Sequence, residues 1–208
     1  MIEQLLRERR SVRRFKPDPV PEALVQRLIE GAICAPSASN KQPWKFLLVE
    51  QRGLIEQLAG AVRASTTLVA HHIPASSQAA FERYGDYFTR FELAPLVIVP
   101  IYKPLTLLSN LTSDDLPAQE RAAIAQLERD SGLIGTSLAL GHLLLVAHEL
   151  GLGASGMTGP LLARSELKRL LEVPPAWDIV ALVPVGFPDE VPIPTERKSA
   201  HLVTRWFR

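Results

Sequence analysis

The 208-residue chain has a single cysteine, Cys34, so no internal disulfide framework can hold it, and its cysteine usage fits a reducing compartment. It also lacks net charge: 23 basic residues against 22 acidic ones leave +1. That excludes a global field drawing the molecule to nucleic acid or to a lipid surface. The first ten residues carry charges where a signal peptide would carry its apolar region, so a cytoplasmic location is expected. Leu133 to Leu152 is long enough for a membrane span, but His142, His148 and Glu149 interrupt it, and it reads as a central buried helix. No catalytic triad or metal cluster stands out. His71 and His72 have no cysteine or carboxylate at ligand spacing and read as surface residues. His142 and His148, six apart, do not share a helix face and read as core histidines. There is no internal repeat and no linker between two cores.

What is present suffices for one α+β domain spanning 1–208, with helices around a mixed sheet and an extended arm over about 187–208. Ile2, Leu5 and Leu6 begin a short helix, and Arg7, Arg9, Arg10, Arg13, Arg14 and Lys16 then crowd together around an extended segment, Ser11 to Phe15. Pro21 can occupy the first position of a helix whose apolar stripe runs through Leu24, Val25, Leu28, Ile29 and Ala32, and Pro36 ends it. Cys34 is assigned to that helix's apolar face as a small hydrophobe. Trp44 to Val49 reads as a buried strand, and Leu54 to Val62 as an amphipathic helix. Residues 63–80 give no clear signal. A helix over about Ser77 to Phe91 carries Phe81, Tyr84, Tyr87, Phe88 and Phe91, which read as packing aromatics. Leu96 to Tyr102 is a second strand, placed at an edge or bulge by Pro100. The loop from Lys103 to Pro117 can form a lid. Ser131 to Leu150 is apolar on nearly every side, as in a helix buried all round or shared between subunits. Leu161 to Val173 reads as an amphipathic helix capped by Ser165, and Ile179 to Val185 as a third strand.

Three stretches carry chemistry. Gly151-Leu-Gly-Ala-Ser-Gly156 matches G-x-G-x-x-G, but it follows a helix instead of a strand, so the glycines serve first as a helix cap and turn. Such a loop, continued by Met157, Thr158 and Gly159, can bring backbone N–H groups to a ligand ring. Arg9, Arg10 and Arg13 can be a solvated patch, a nucleic-acid arm or a phosphate clamp. The near-zero charge and the want of a second basic face stand against the arm. Ala35 to Phe46, with two prolines, two serines, an asparagine and a glutamine, is either a linker or a polar turn holding a planar, hydrogen-bonding ligand.

Together these blocks resemble the nitroreductase family of flavin mononucleotide (FMN) oxidoreductases. Arg9-Arg10-Ser11-Val12-Arg13 is similar to the family's basic phosphate block. Pro36-Ser37-Ala38-Ser39-Asn40-Lys41-Gln42-Pro43-Trp44 resembles its P-S-x-x-N-x-Q-P-W segment, which in the family reaches the flavin of the other subunit. Ala147 to Gly153 resembles the end of the dimer-core helix and the loop after it, and Arg197-Lys198 a second phosphate contact. The resemblance implies a nitroreductase-like α+β sandwich, a central mixed or antiparallel sheet surrounded by helices, in an intertwined homodimer with FMN at the interface. It also implies an FMN-dependent oxidoreductase that carries two electrons from NADH or NADPH to nitroaromatic, quinone or related small-molecule acceptors. The chemistry then belongs to the flavin, and no protein side chain need be catalytic. Implied cofactor contacts are Arg9, Arg10, Ser11, Arg13, Pro36, Ser37, Ala38, Asn40, Gln42, Met157, Thr158, Gly159, Arg197 and Lys198. Alternatives are a reductive dehalogenase or flavin-fragmenting enzyme of the same fold and, in another class, a nucleic-acid module using the N-terminal arginines. No 2′-phosphate clamp can be picked out, so both nicotinamides stay open as donors.

Overall fold

The structure is a computed structural model, and residues 2–208 are described. In order, the chain forms α1 (Ile2–Glu8), α2 (Glu22–Ile33), β1 (Trp44–Val49), α3 (Arg52–Ala70), α4 (Ala75–Gly85), β2 (Leu96–Tyr102), α5 (Ala118–Glu149), β3 (Gly153–Ala154), α6 (Arg164–Leu170), β4 (Asp178–Ile179) and β5 (Val183–Gly186). The five strands make one sheet ordered β1-β2-β5-β3, with β4 also on β2, and every ladder is antiparallel. A lone parallel bridge joins Ser11 to Ala154.

β2 shows why the sheet sits in the middle. Its side chains alternate between two cores: Leu96, Ile98 and Tyr102 face α2 and α5, while Val97, Val99 and Ile101 face α3 and α6. A strand covered on both faces must be apolar throughout, and each fully buried valine or isoleucine contributes about 1.5–3 kcal/mol. β2 is thus central, and Pro100 does not mark an edge. Pro100 lies opposite Phe46 of β1, and on its other side the neighbouring strand is interrupted between β4 and β5. Its carbonyl accepts from Val180 N at 2.9 Å, so the N–H that proline lacks points to that same side, into the gap. The expected third strand is broken there because Leu182 turns away, exchanging backbone bonds of 2.9 and 3.0 Å with Met157.

Other expectations are corrected in local terms. α3 runs on to Ala70 after its apolar stripe stops at Val62, and α4 begins at Ala75 and ends at Gly85, short of the expected Phe91. Pro21 is the residue before α2, and Cys34 is exposed. Cys34 falls off the buried stripe of Val25, Leu28, Ala32 and Ala35, its Sγ 3.3 Å from the carbonyl of Glu30. Ser165 caps nothing, because a 3-10 turn over Gly159–Ala163 leads straight into α6. His142 and His148 are half-buried instead of core residues.

α5 is long and apolar enough to cross a membrane by length and composition, but it packs on the sheet through a narrow stripe: Glu128, Gly132, Gly135, Thr136, Ala139, Leu143 and Ala147. Within one chain it is covered on one side only; Ile134 and Leu127 on the other side are 59% and 52% exposed. It ends in a Schellman motif. Leu152 N bonds Ala147 O at 2.8 Å, Gly151 N bonds His148 O at 3.1 Å, and Gly151 takes the left-handed φ of 73° that the turn requires.

Glu128 is the one charged group in that stripe. Its carboxylate accepts from the backbone N–H of Leu108 (2.8 Å) and Ser109 (3.1 Å), so the loop after β2 is pinned to α5 and is not a free lid. Burial alone would raise this carboxyl's pKa, but bonds from Ser109, Leu108 and Leu107 outweigh it and the pKa lies below the ordinary 4.5. A depressed carboxylate stabilises the fold above its unfolded pKa and loses that contribution as pH falls through the folded value. Glu128→Gln should therefore lower Tm at neutral pH, by about 1–3 kcal/mol of stability. The gap to wild type should close as pH falls below about 4.5. Parallel Tm curves down to acid pH would contradict this.

Candidate functional site

The basic N-terminal segment and the arm build one wall together. Val12 N bonds Ala154 O at 3.1 Å, Lys16 N bonds Phe187 O at 2.9 Å, and Asp189 N bonds Arg14 O at 3.0 Å. The Glu190 carboxylate then accepts from the N–H of Arg13 (2.6 Å) and Arg14 (3.1 Å). The strapped segments enclose a cavity of about 460 Å³ whose lining includes Arg9, Arg10, Ser11, Arg13, Tyr87, Arg90, Glu190 and Arg197. Five guanidinium groups thus face one carboxylate, and that carboxylate is spent on backbone. Among the described residues, none of the five has a carboxylate within salt-bridge distance. Burial, then Arg197 and Arg10, hold the Arg9 guanidinium below its ordinary pKa, as a crowd of like charges awaiting an anion would.

The arginines are not equivalent. Arg10 turns back on α1, donating to the carbonyls of Arg7 and of Arg9 (2.8 Å), which caps the helix. Arg197 donates to Thr195 Oγ1 at 2.6 Å. Among the described residues, the side chains of Arg9, Arg13 and Arg90 make no hydrogen bond, so their donors are unspent.

A second cavity, of about 310 Å³, adjoins the first through Arg13 and Tyr87, which line both. Its other residues include Tyr84, Phe88, Met157, Thr158 and Gly159. Met157 is fixed by its paired bonds to Leu182, and Gly159 packs directly on the Phe88 ring: a Cβ there would lie 2.8 Å from Phe88 Cγ, with two further ring carbons closer still. The Ser155 hydroxyl, one residue before Gly156 of this lining, is buried with no partner. The two cavities form one groove, cationic at one end and aromatic at the other. It can hold an elongated ligand with an anionic tail and a planar head.

Of the residues expected from sequence, Arg9, Arg10, Ser11, Arg13, Met157, Thr158, Gly159 and Arg197 line this groove. Lys198 does not; it lies exposed beside Arg197. Pro36, Ser37, Ala38 and Asn40 line neither cavity, and Gln42 borders a separate pocket with Lys41, Lys103 and Trp177. Their segment is nonetheless unusual. Ser39, Asn40 and Gln42 all have left-handed φ, of 51°, 52° and 46°, a conformation costing roughly 1–3 kcal/mol for a non-glycine residue. Ser37 holds it, its Oγ accepting from Gln42 N and its carbonyl from Asn40 N, both at 2.9 Å. Strain of this kind clusters at functional sites.

Sequence reasoning missed Glu190, Tyr87 and Arg90. The i,i+3 spacing of Tyr87 and Arg90 is the signal that could have found the pair, since it places a cation over a ring; Arg90 stands 4.2 Å from the Tyr87 centroid and Arg13 5.4 Å. A groove of about 450 Å³ between α3 and α4 is comparable in size, but its arginine, Arg63, is already paired with Glu92 at 2.6 Å.

Comparison with known proteins identifies the family. The model of the Nitroreductase family matches residues 6–187. An NADH dehydrogenase of Thermus thermophilus is 30% identical over 96% of this chain and 92% of its own length. A 5,6-dimethylbenzimidazole synthase of Rhodobacter capsulatus is 31% identical over 90% and 84%. Among solved structures, oxidised iodotyrosine deiodinase bound to FMN and 3-iodo-L-tyrosine superposes with a TM-score of 0.75 over the full length of both chains. At 24% identity that is a likeness of fold.

Proposed function

The chain belongs to the nitroreductase family of NAD(P)H oxidoreductases, and on that footing we propose that it binds FMN in the groove from Arg9 to Gly159 and reduces nitroaromatic, quinone or related electrophilic acceptors with NADH or NADPH. The observation that carries this reading is the continuity of the two cavities, with unspent guanidinium donors at one end and a backbone-walled aromatic slot at the other.

The residues fit the cofactor. Arg9 and Arg13, with Arg197, bring charge-assisted donors to a phosphate, each such bond contributing on the order of 1.5–3 kcal/mol. Ser11 offers a hydroxyl between them and the slot. Thr158 and Gly159 present backbone, not bulk, to a ring edge, and Met157, whose own N–H and carbonyl are taken by Leu182, anchors the loop. When bound, FMN supplies hydride chemistry at its N5, taking two electrons from a nicotinamide and returning them to an acceptor. The protein's work is to bind, orient and exclude water, which accounts for a groove built of arginines, aromatics and backbone.

We further read the protein as a cytoplasmic homodimer. The outer face of α5 exposes Leu127, Ile134 and Leu138, and the arm exposes Trp206 and Phe207, at 73% and 83%; apolar surface on this scale favours a partner. The Pro36–Gln42 segment, strained and remote from the groove of its own chain, would then serve the groove of the second copy. Because the loop after β2 is pinned by Glu128, a broad acceptor range is favoured over the dehalogenating and flavin-fragmenting alternatives, which call for a dedicated lid.

The test is direct. Purified protein mixed with FMN and desalted should retain one FMN per chain, and NADH or NADPH should bleach its visible absorbance until a quinone restores it. Colourless protein that takes up no FMN would overturn the assignment. Sedimentation showing a stable monomer at micromolar concentration would overturn the shared-site arrangement.

A further inference from the structure

We propose that Arg90, seated over Tyr87 where the two cavities meet, recognises an anionic group on the ligand that exchanges electrons with the flavin, so that the enzyme selects a phosphate- or carboxylate-bearing partner. This deepens the FMN reading and rests on it.

The first argument is charge. The basic cavity holds five guanidinium groups and one carboxylate, and Glu190 is engaged by the N–H of Arg13 and Arg14. An FMN phosphate carries at most about two negative charges at neutral pH, which leaves a substantial positive surplus. Packing several cations in a partly enclosed cavity is costly without anions to match them, and an FMN phosphate matches only part of this set.

The second argument is placement. Arg9, Arg13 and Arg197 come from the terminal segments that strap together, whereas Arg90 comes from the 3-10 turn Arg90–Leu93 that follows α4. Its guanidinium lies 4.2 Å from the centroid of Tyr87, a residue lining both cavities. That contact uses the face of the guanidinium and leaves its edge donors free; among the described residues they make no hydrogen bond or ion pair. Tyr84, Tyr87 and Phe88 give the adjoining slot an aromatic wall. A planar electron donor or acceptor stacked on the flavin ring from the open side of that slot, where Tyr84 and Tyr87 are exposed, would bring an acidic substituent toward Arg90. Two sources share this chemistry, the phosphates of a nicotinamide donor and an acidic group on an aromatic acceptor.

The experiment uses FMN-loaded wild type, Arg90→Ala and Arg90→Lys. In the donor arm, kcat/KM is measured for NADH and for the uncharged donor N-benzyl-1,4-dihydronicotinamide with a neutral quinone. In the acceptor arm, it is measured for 4-nitrobenzoate and 4-nitrobenzyl alcohol at saturating donor. Arg90→Ala should reduce the anionic-to-neutral ratio of one arm on the order of tenfold, with partial recovery in Arg90→Lys, each protein being kept saturated with FMN so that cofactor affinity does not enter the ratio. The responding arm names the source. The same wild-type ratio should fall as ionic strength rises, a readout that requires no variant to fold. Ratios indifferent to both Arg90 and salt would overturn the proposal. Wild-type protein that takes up no FMN would defeat the underlying reading instead, so the two failures are distinguishable.

Discussion

Arg9→Ala should weaken FMN binding by about one to two orders of magnitude, while Arg7→Ala should change it by less than about twofold. The size follows from losing one charge-assisted hydrogen bond of about 1.5–3 kcal/mol, at about 1.4 kcal/mol per factor of ten. The contrast follows from position. Arg9 is half-buried, lines the basic cavity and has no side-chain partner among the described residues; Arg7 is exposed on α1, where its carbonyl accepts from Arg10. A second readout separates a binding role from a structural one. Since burial and the neighbouring Arg197 and Arg10 disfavour the charge on Arg9, removing it relieves repulsion in the cofactor-free protein. The Tm without FMN should hold or rise, even as the increment that FMN adds to Tm shrinks. Flavin fluorescence titrations and paired melting curves measure both. Equal losses of affinity in Arg7→Ala and Arg9→Ala would reject the assignment.

Gly159→Ala should strike fold and groove together. The added methyl would meet the Phe88 ring well inside contact distance, and Phe88 cannot simply swing away: it is 6% exposed and packs edge-on against Tyr84, with ring centroids 4.9 Å apart. Inserting a methyl into so tight a contact costs about 1–3 kcal/mol. The ring's displacement would fall on the cavity it lines, so FMN affinity should drop along with Tm. Pairing the change with Phe88→Leu, which removes the obstructing ring, should recover part of the stability. A cycle in which the two losses simply add would show that the contact is not the cause.

How far the sequence alone reaches depends on whether the deciding force is local. Leu96–Tyr102 was legible to the residue, because a strand covered on both faces must be a run of apolar side chains; Trp44–Val49 was legible in its bounds but is not the buried strand expected, since at the end of the sheet it exposes Lys45 and Leu48. The left-handed turn after α5 was legible too, since few residues other than glycine adopt φ of 73° cheaply. Helix α3 beyond Val62 was not, because Val62 is its last buried residue and the periodic signal stops there. The position of Pro100 misled, because its missing donor falls opposite a gap in a strand nearly eighty residues downstream. Glu128 reads as a surface charge until its place in the buried stripe of α5 is seen. At the site, the terminal arginines were found by their pattern. Tyr87 and Arg90 were not, because only folding brings α4 and the turn after it against residues 9–13.

The strap that closes the basic cavity also sets an order of events. The bond between Arg13 N and Glu190 joins residues 177 positions apart, and Arg197 lies further still along the chain. On the ribosome the first segment emerges early and must wait for Glu190 and Arg197 to follow before its wall can close. Loop-closure entropy makes so distant a pairing slow to form. The sheet and its two cores, complete by Gly186, can be in place before the cavity exists. A chain cut short before Glu190 can be folded at its centre and still lack one wall of the basic cavity.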